Sequence, residues 1–553
     1  MGNDAEVIKK RVGDPFKVLD AIKRASTEGF DSLTEDDLFL CKWIGIYTHR
    51  YKDMHPEQKG YFMMRLRTPG GFVNPVQLNE IAAITEQLNR GFSDITTRQT
   101  LQLHWCHAKD LVTILNRLKA VGISTMGACG DIMRNITGCP VAGVDRDEIL
   151  DATPVVQQIN TYFVDNRDFA DLPRKYKLCI TGCRSWCPHP EIDCLSFVGV
   201  ERTVDGKKQV GFDVRVGGGL STQPFLSKRL GVFVTPEQAL PVAIKITEIY
   251  RDTSEYREKR HRARFKFLVA DWGVEKLRLT LEAKLGYKLD DAPADYQDPP
   301  ERYRDHVGVH AQKQPGLFYV GAPVLVGRIT SAQMRTVARL AEHYGDGTIR
   351  LTNRQNILLL NIPESNVEKV LSNLADCGLT INAHPIRRSV VTCTGNEFCK
   401  LALTETKARS REIVEYLEPR VLLDEPLRIH ITGCPNACAQ YQIGHIGMMG
   451  CKTKVDGQIV DAYDIYVGGR LGQGASFNHP VLRKVPAADC KHRLEQLLVG
   501  YKRQRKGGET FVDFCARVGD DAVAKLLAPR QPAPPTEDVP MPPVPESDGP
   551  VFA

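Results

Sequence analysis

The sequence predicts an α+β protein that is internally duplicated: two copies of a strand–helix–strand–helix module, each followed by a larger α/β unit, paired about a pseudo-twofold axis with a cofactor between them. Three observations predict it. GYFMMRLRTPGGFVNPVQL from Gly60 matches GLFYVGAPVLVGRITSAQM from Gly316, and DITTRQTLQL from Asp94 matches TIRLTNRQNILLL from Thr348, both pairs in one register. KLCITGCRSWC at 177–187 echoes RIHITGCPNAC at 428–438. DVRVGGGL from Asp213 echoes DIYVGGRL from Asp464. Self-similarity of this kind marks a repeated structural unit.

In each module an alternating apolar segment leads into a helix. The core face is Leu78, Ile81, Ile84 and Leu88 in the first copy and Met334, Val337, Leu340 and Tyr344 in the second, the spacing of one helical face. A second helix carries Leu111, Ile114, Leu115 and Leu118 before Gly122, or Val367, Val370, Leu371 and Leu374 before Gly378. Glycine just past a helix is its usual left-handed cap. The organisation expected is an N-terminal extension at 1–55, a first module at 56–125, a first larger unit at 126–285, a charged, proline-containing linker at 286–305, a second module at 306–384 and a second larger unit at 385–527. From 528 to 553 the chain is too polar and proline-rich to bury a core and reads as a disordered tail.

A chain of 553 residues needs several packing units, and a formal charge of +6 is too mild at this length to assign a nucleic-acid partner. Sixteen cysteines without an apolar N-terminal leader argue for reduced thiols, some of them binding metal, rather than for a secreted disulfide framework. Met1-Gly2 is not followed by the Ser or Thr that N-myristoylation needs, and no window approaches the roughly 18 apolar residues of a membrane span. A cytoplasmic, monomeric protein with no membrane or nucleic-acid partner is expected.

Cys393 and Cys399 enclose five residues, and Cys434 and Cys438 enclose three. Four thiolates in two close pairs suit an iron–sulfur cube, in which each iron takes one cysteine. Zinc is the rival metal, although its paired cysteines are typically closer than the first pair here, and four buried free thiols are the bland alternative.

With the motifs Thr432-Gly433-Cys434-Pro435-Asn436-x-Cys438 and Leu172-Pro173-Arg174-Lys175, these cysteines give a chain that closely resembles the ferredoxin-dependent nitrite and sulfite reductases from about Leu38 to Ala516. The resemblance implies ferredoxin-like half-domains with siroheme at their interface, and a [4Fe–4S] cluster on Cys393, Cys399, Cys434 and Cys438. It also implies that Cys438 bridges the cluster to the siroheme iron. The first half adds Cys179, Cys183, Cys187 and Cys194. With Asn135, in CGDIMRN, taken as the match to Cys399, this half lacks a full ligand set, and structural thiols are expected.

Siroheme carries many carboxylates, so its pocket needs cations, arginine above all. By motif, Arg65, Arg134, Lys175 and Lys177 match the family's cations on the substrate face, while Arg98, Arg174 and Asn436 match positions that contact the macrocycle or its carboxylates. Arg67 and Arg354, from the repeated motifs, join the cofactor-binding set. Taken singly, each is more often a solvated surface charge, and its place beside apolar strand residues in repeated motifs is what points to the pocket. Cations here would bind the oxyanion and relay the protons that each N–O or S–O cleavage consumes. Lys177 favours sulfite, whereas the segments from Arg134, Thr394 and His445 look more like nitrite reductases, and reduction of nitrite to ammonia is the reading taken. Tyr47 and Cys129 match positions that some bacterial members join covalently, and an unrelated core tyrosine and thiol are equally compatible with the sequence.

No G-x-G-x-x-G follows a strand, so electrons must come from a partner, and the resemblance implies acidic ferredoxin. EYREKRHRARFKF from Glu255 and YKRQRKGGE from Tyr501 are candidate docking segments, or else solvated helix faces. A nucleic-acid-binding protein with structural zinc, or an iron–sulfur carrier without catalysis, would be colourless or would not need the first-half cations.

Overall fold

The computed structural model describes residues 4–301 and 303–528. The myristoylation reading at Met1-Gly2, and the tail from 529 on, lie outside them.

The first module contains β1 (Ile46–Thr48), β2 (Tyr61–Arg65), β3 (Phe72–Val73), β4 (Phe92–Ile95) and β5 (Leu101–His107). Its first helix, Pro75–Leu88, starts where Asn74 and Gln77 cap each other's backbone N–H groups, with proline at the first helical position. Leu78, Ile81 and Ile84 are fully buried. The second helix, Leu111–Ala120, buries Leu111, Ile114 and Leu118 and stops at Gly122, whose φ of 75° only glycine adopts freely.

In the first larger unit, β6 (Thr137–Gly138), β7 (Leu178–Thr181) and β8 (Leu195–Val204) run parallel. β9 (Lys207–Val216), β10 (Lys228–Val234) and β11 (Asp290–Asp291) extend that sheet antiparallel to its far edge. The second module repeats the first with β12 (Gly308–Ala311), β13 (Leu317–Ala322), β14 (Arg328–Thr330), β15 (Ile349–Leu351) and β16 (Ile357–Pro363). Its helix Ser331–Tyr344 uses the same reciprocal cap, Thr330 with Gln333. The second larger unit then lays β17 (Val390–Thr392), β18 (Ile429–Thr432) and β19 (Ile446–Val455) parallel, followed by antiparallel β20 (Gln458–Val467) and β21 (His479–Pro486).

The two modules exchange strands. β14 of the second copy completes the sheet β1-β2-β5-β4-β14, and β3 of the first completes β12-β13-β16-β15-β3. One hydrophobic core therefore runs through both copies, from Ile22 and Trp43 to Leu374 and Leu379. The stretch at 286–305 is held in place: β11 pairs with β10, Glu301 binds Arg428, and Asp305 accepts both Nε and Nη2 of Arg388 at 2.9 and 2.8 Å. The basic run from Glu255 is only partly solvated: Lys259 and His261 are exposed, and its other cations are buried or paired. Arg264 and Lys266 are buried, Arg260 binds Asp131, and Arg262 binds Asp271.

Candidate functional site

Arg65 ends β2, Arg134 precedes β6, and Lys175 and Lys177 lead into β7. All four border one cavity that Cys393, Asn436 and Cys438 line from the second half. The cavity exists only where the halves meet. Its ring of cations suits the carboxylate-bearing macrocycle expected there.

Lys175 and Lys177 are half-buried, and among the described residues neither ammonium has a hydrogen bond or ion pair. Burial, reinforced by Arg98, pushes Lys177 down to about 8. Burial and the nearby Arg264 and Arg174 hold Lys175 well below the ordinary lysine range. An amine tuned toward neutrality both attracts an anion as ammonium and gives up its proton readily. Arg134, which lines the cavity, donates Nε and Nη2 to the Gly130 carbonyl at 3.1 and 2.7 Å, and Nη1 has no hydrogen bond among the described residues.

Arg65 is locked in place. Its Nε and Nη2 donate to Gln102 Oε1 at 3.1 and 2.7 Å, and its Nη1 donates to Cys129 Sγ at 3.1 Å. The Tyr47 ring lies 5.9 Å from the guanidinium carbon, so Tyr47 and Cys129 flank this arginine. Arg98 also borders the cavity, yet each of its guanidinium nitrogens is occupied. Nη1 reaches both Asp193 oxygens at 3.0 and 3.2 Å, Nε and Nη2 reach the Asn135 carbonyl, and Nη2 reaches the Leu178 carbonyl.

Arg67, Arg174 and Arg354 are not among the cavity's lining residues. Arg67 is buried and donates to Asn160 Oδ1 at 2.7 Å and to the Met133 carbonyl at 3.1 Å. Arg174 binds Asp131, which Arg260 shares. Arg354 stacks 4.1 Å from the Tyr303 ring and lines a separate cavity with Arg428. The repeat makes Arg354 the counterpart of Arg98, so the pseudo-twofold axis carries it to the symmetry-related pocket.

Cys393 follows β17, and Cys434 and Cys438 follow β18. The Gly433 N–H lies 3.3 Å from Cys393 Sγ, and the Asn436 amide donates to Cys434 Sγ at 3.6 Å. Donors to sulfur stabilise thiolates and tune an iron–sulfur centre. Burial pushes the Cys399 thiol up to about 12 and the Cys434 thiol to about 11, so loading a cluster must displace their protons. The donor set fits four thiolate ligands, two of which, Cys393 and Cys438, border the cavity.

Strand register corrects one correspondence. Thr137 of β6 lies opposite Cys179 of β7, and Val391 of β17 lies opposite His430 of β18. Cys179 and His430 are equivalent in the 177–187 and 428–438 repeat, so Cys139 is the counterpart of Cys393, and the match to Cys399 is Asp145 rather than Asn135. Cys183 and Cys187 face Cys139, whereas Cys179 lies on β7 and Cys194 accepts from Arg264 Nη2 at 3.4 Å.

Residues that motif reasoning missed join the two sides of the cavity. Gln102, beyond gripping Arg65, donates to Thr394 Oγ1 at 3.0 Å in the cluster loop. Buried Asp94 collects Arg328 at 3.0 Å, His104 at 2.9 Å and Lys407 at 3.5 Å. Against the opposing effect of burial, Lys407, His104 and Arg328 hold its carboxyl far below the usual range. A signal existed: Asp94 aligns with Arg350, a charge reversal inside an otherwise matched repeat.

Two family models match the chain. The nitrite and sulphite reductase 4Fe-4S domain matches residues 129–289 and 385–532, and the nitrite/sulfite reductase ferredoxin-like half domain matches 55–121 and 310–377. An assimilatory ferredoxin-dependent nitrite reductase of Haloferax mediterranei is 37% identical over 541 residues, covering 93% of this chain and 91% of that protein. A ferredoxin sulfite reductase of Mycolicibacterium paratuberculosis is 36% identical over 539 residues, covering 94% and 95%. The structure of the Mycobacterium tuberculosis NirA protein superposes with a TM-score of 0.88 at 35% identity, covering 94% of this chain and 97% of that one.

Proposed function

We propose, from the premise that this chain belongs to the nitrite and sulphite reductase family, that it reduces nitrite to ammonia with six electrons taken singly from reduced ferredoxin. The cofactors are siroheme and a [4Fe–4S] cluster. Siroheme supplies the iron that binds the anion, and the cluster supplies it with electrons. The observation that carries the reading is a single cavity bordered at once by Arg65, Arg134, Lys175 and Lys177 and by Cys393 and Cys438.

In this reading the unpartnered ammonium groups of Lys175 and Lys177 neutralise the anion and hold its oxygens. Arg134 Nη1 adds a fixed charge, and Arg65 is aimed by Gln102. As each oxygen leaves, protons are required at it, and Lys177, with a value near 8, gives one up and regains it from solvent. Cys393, Cys399, Cys434 and Cys438 hold the cluster, and Asn436 orients the loop between the last two. Electrons enter where the cluster loop reaches the surface. Leu401 is 63% exposed beside exposed Lys400. Lys52 lies close enough to Lys400 to act on its charge. Lys52 is paired with Glu35 at 2.7 Å, so Lys400 beside Leu401 is the cation that an acidic donor would meet there.

Sulfite is the second reading, favoured by one observation: the second position of the K-x-K pair is a lysine at the cavity. Steady-state kinetics of holoenzyme with both anions and one reduced ferredoxin test the proposal. A higher kcat/KM for nitrite with ammonia as product is expected, and sulfide formation with negligible ammonia would overturn it.

A further inference from the structure

The first half carries a thiol cluster of its own. Cys139 Sγ lies 3.6 Å from Cys187 Sγ, which lies 3.2 Å from Cys183 Sγ, and Cys139 and Cys183 are within 4.8 Å of each other. All three residues are buried. A ring nitrogen of His306 lies within 4.8 Å of the Cys139 and Cys187 sulfurs. His306 is 3% exposed, and both its ring nitrogens are buried without a hydrogen-bond partner among the described residues. Leaving a buried imidazole unsatisfied costs free energy that a metal bond would recover. Asp145, the counterpart of Cys399, also approaches Cys139 and Cys183, but Arg304 engages both its oxygens, at 2.5 and 3.0 Å.

We propose that Cys139, Cys183, Cys187 and His306 form a closed tetrahedral site for a single zinc ion, separate from the siroheme cavity. Spacing decides between an ion and a second cube. With zinc–sulfur bonds of about 2.3 Å, tetrahedral geometry puts the sulfurs about 3.8 Å apart, close to the separations seen. A cube spreads its cysteines over different irons. Cysteines on separate irons stand farther apart than those sharing one ion. On binding, each thiol releases its proton to solvent, and three thiolates with a divalent ion leave one net negative charge. The Arg304 guanidinium, with Nη1 4.0 Å from Cys183 Sγ, faces that charge. The three cysteines belong to the first larger unit and His306 to the segment entering β12, so the ion would pin the two halves together. Asn353, from the second module, already holds the Cys187 carbonyl at 2.8 Å.

Elemental analysis of full-length holoenzyme, purified without metal-affinity resin, tests this. About one zinc per chain is expected beside the heme and cluster iron, with a zinc-edge absorption fit of three sulfurs near 2.3 Å and one nitrogen near 2.0–2.1 Å. Cys187→Ser and His306→Gln should each lower zinc content several-fold while siroheme and cluster absorption persist. Wild-type protein without zinc, iron in excess of one siroheme and one cube, or a Cys183–Cys187 disulfide in non-reduced peptide maps would overturn the proposal. So would zinc undiminished in both variants. If neither variant folds, the wild-type absorption fit decides alone.

Discussion

The Thr97 hydroxyl donates to the Cys438 carbonyl at 2.9 Å, so a loop of the first module fixes the last cysteine of the second half. Thr97→Val removes that bond and little volume. It is expected to cost about 1 kcal/mol of stability, the usual worth of one such bond. Because Cys438 is the proposed bridge between cluster and siroheme, turnover should fall more than stability does, with both cofactors retained. Thermal melts and visible spectra beside steady-state rates check this, and unchanged kcat would remove Thr97 from the electron path.

Lys177 is where nitrite and sulfite readings part. Its side chain has no partner among the described residues, so Lys177→Asn exchanges a free charge for a neutral donor without breaking an ion pair. The ratio of kcat/KM for nitrite over sulfite should rise several-fold, while siroheme content stays constant. An unchanged ratio would show that this position does not select the anion.

The same lysine sets a pH dependence. The ammonium is the form that attracts the anion, and it is lost as pH rises through about 8, where burial has moved the group. Siroheme carboxylates raise that value and further burial lowers it, so kcat/KM should fall on the alkaline side, with the midpoint set by Lys177. In Lys177→Arg, which stays charged, the alkaline limb should move to higher pH. A limb that keeps its midpoint in that variant belongs to another group.

Much of this was readable in advance, for identifiable reasons. The helices Pro75–Leu88 and Ser331–Tyr344 carry both a capping pair and a clear apolar face, and such signals are local. The strand exchange was hidden because β3 and β14 have two and three residues, too few for an alternating pattern, and both pair outside their own repeat. Arg98 and Arg354 occupy matching motifs, but the pseudo-twofold axis sends them to different cavities, which no comparison of the motifs reveals. The Asn135 correspondence failed because Cys129 and Cys139 both precede plausible loops, and only the β6–β7 register chooses between them.

Arg98 supplies the last prediction, because its geometry separates two roles. Its partner Asp193 is buried, with a side chain 3% exposed, and the pair ties the β4–β5 loop to the first larger unit. Arg98→Ala takes the paired cation from that carboxylate, which keeps the Thr137 hydroxyl at 3.3 Å, and removing one member of a buried pair costs about 3 kcal/mol. Apoprotein and holoprotein should therefore both lose stability, with siroheme occupancy falling as a consequence. Adding Asp193→Asn should recover part of the loss, since the stranded charge is then gone. If Arg98 instead served mainly as a ligand of a cofactor carboxylate, apoprotein melting would be unchanged and only siroheme occupancy would drop. Denaturant unfolding of apo and reconstituted protein, measured for both variants, distinguishes a residue that builds the pocket wall from one that grips the cofactor.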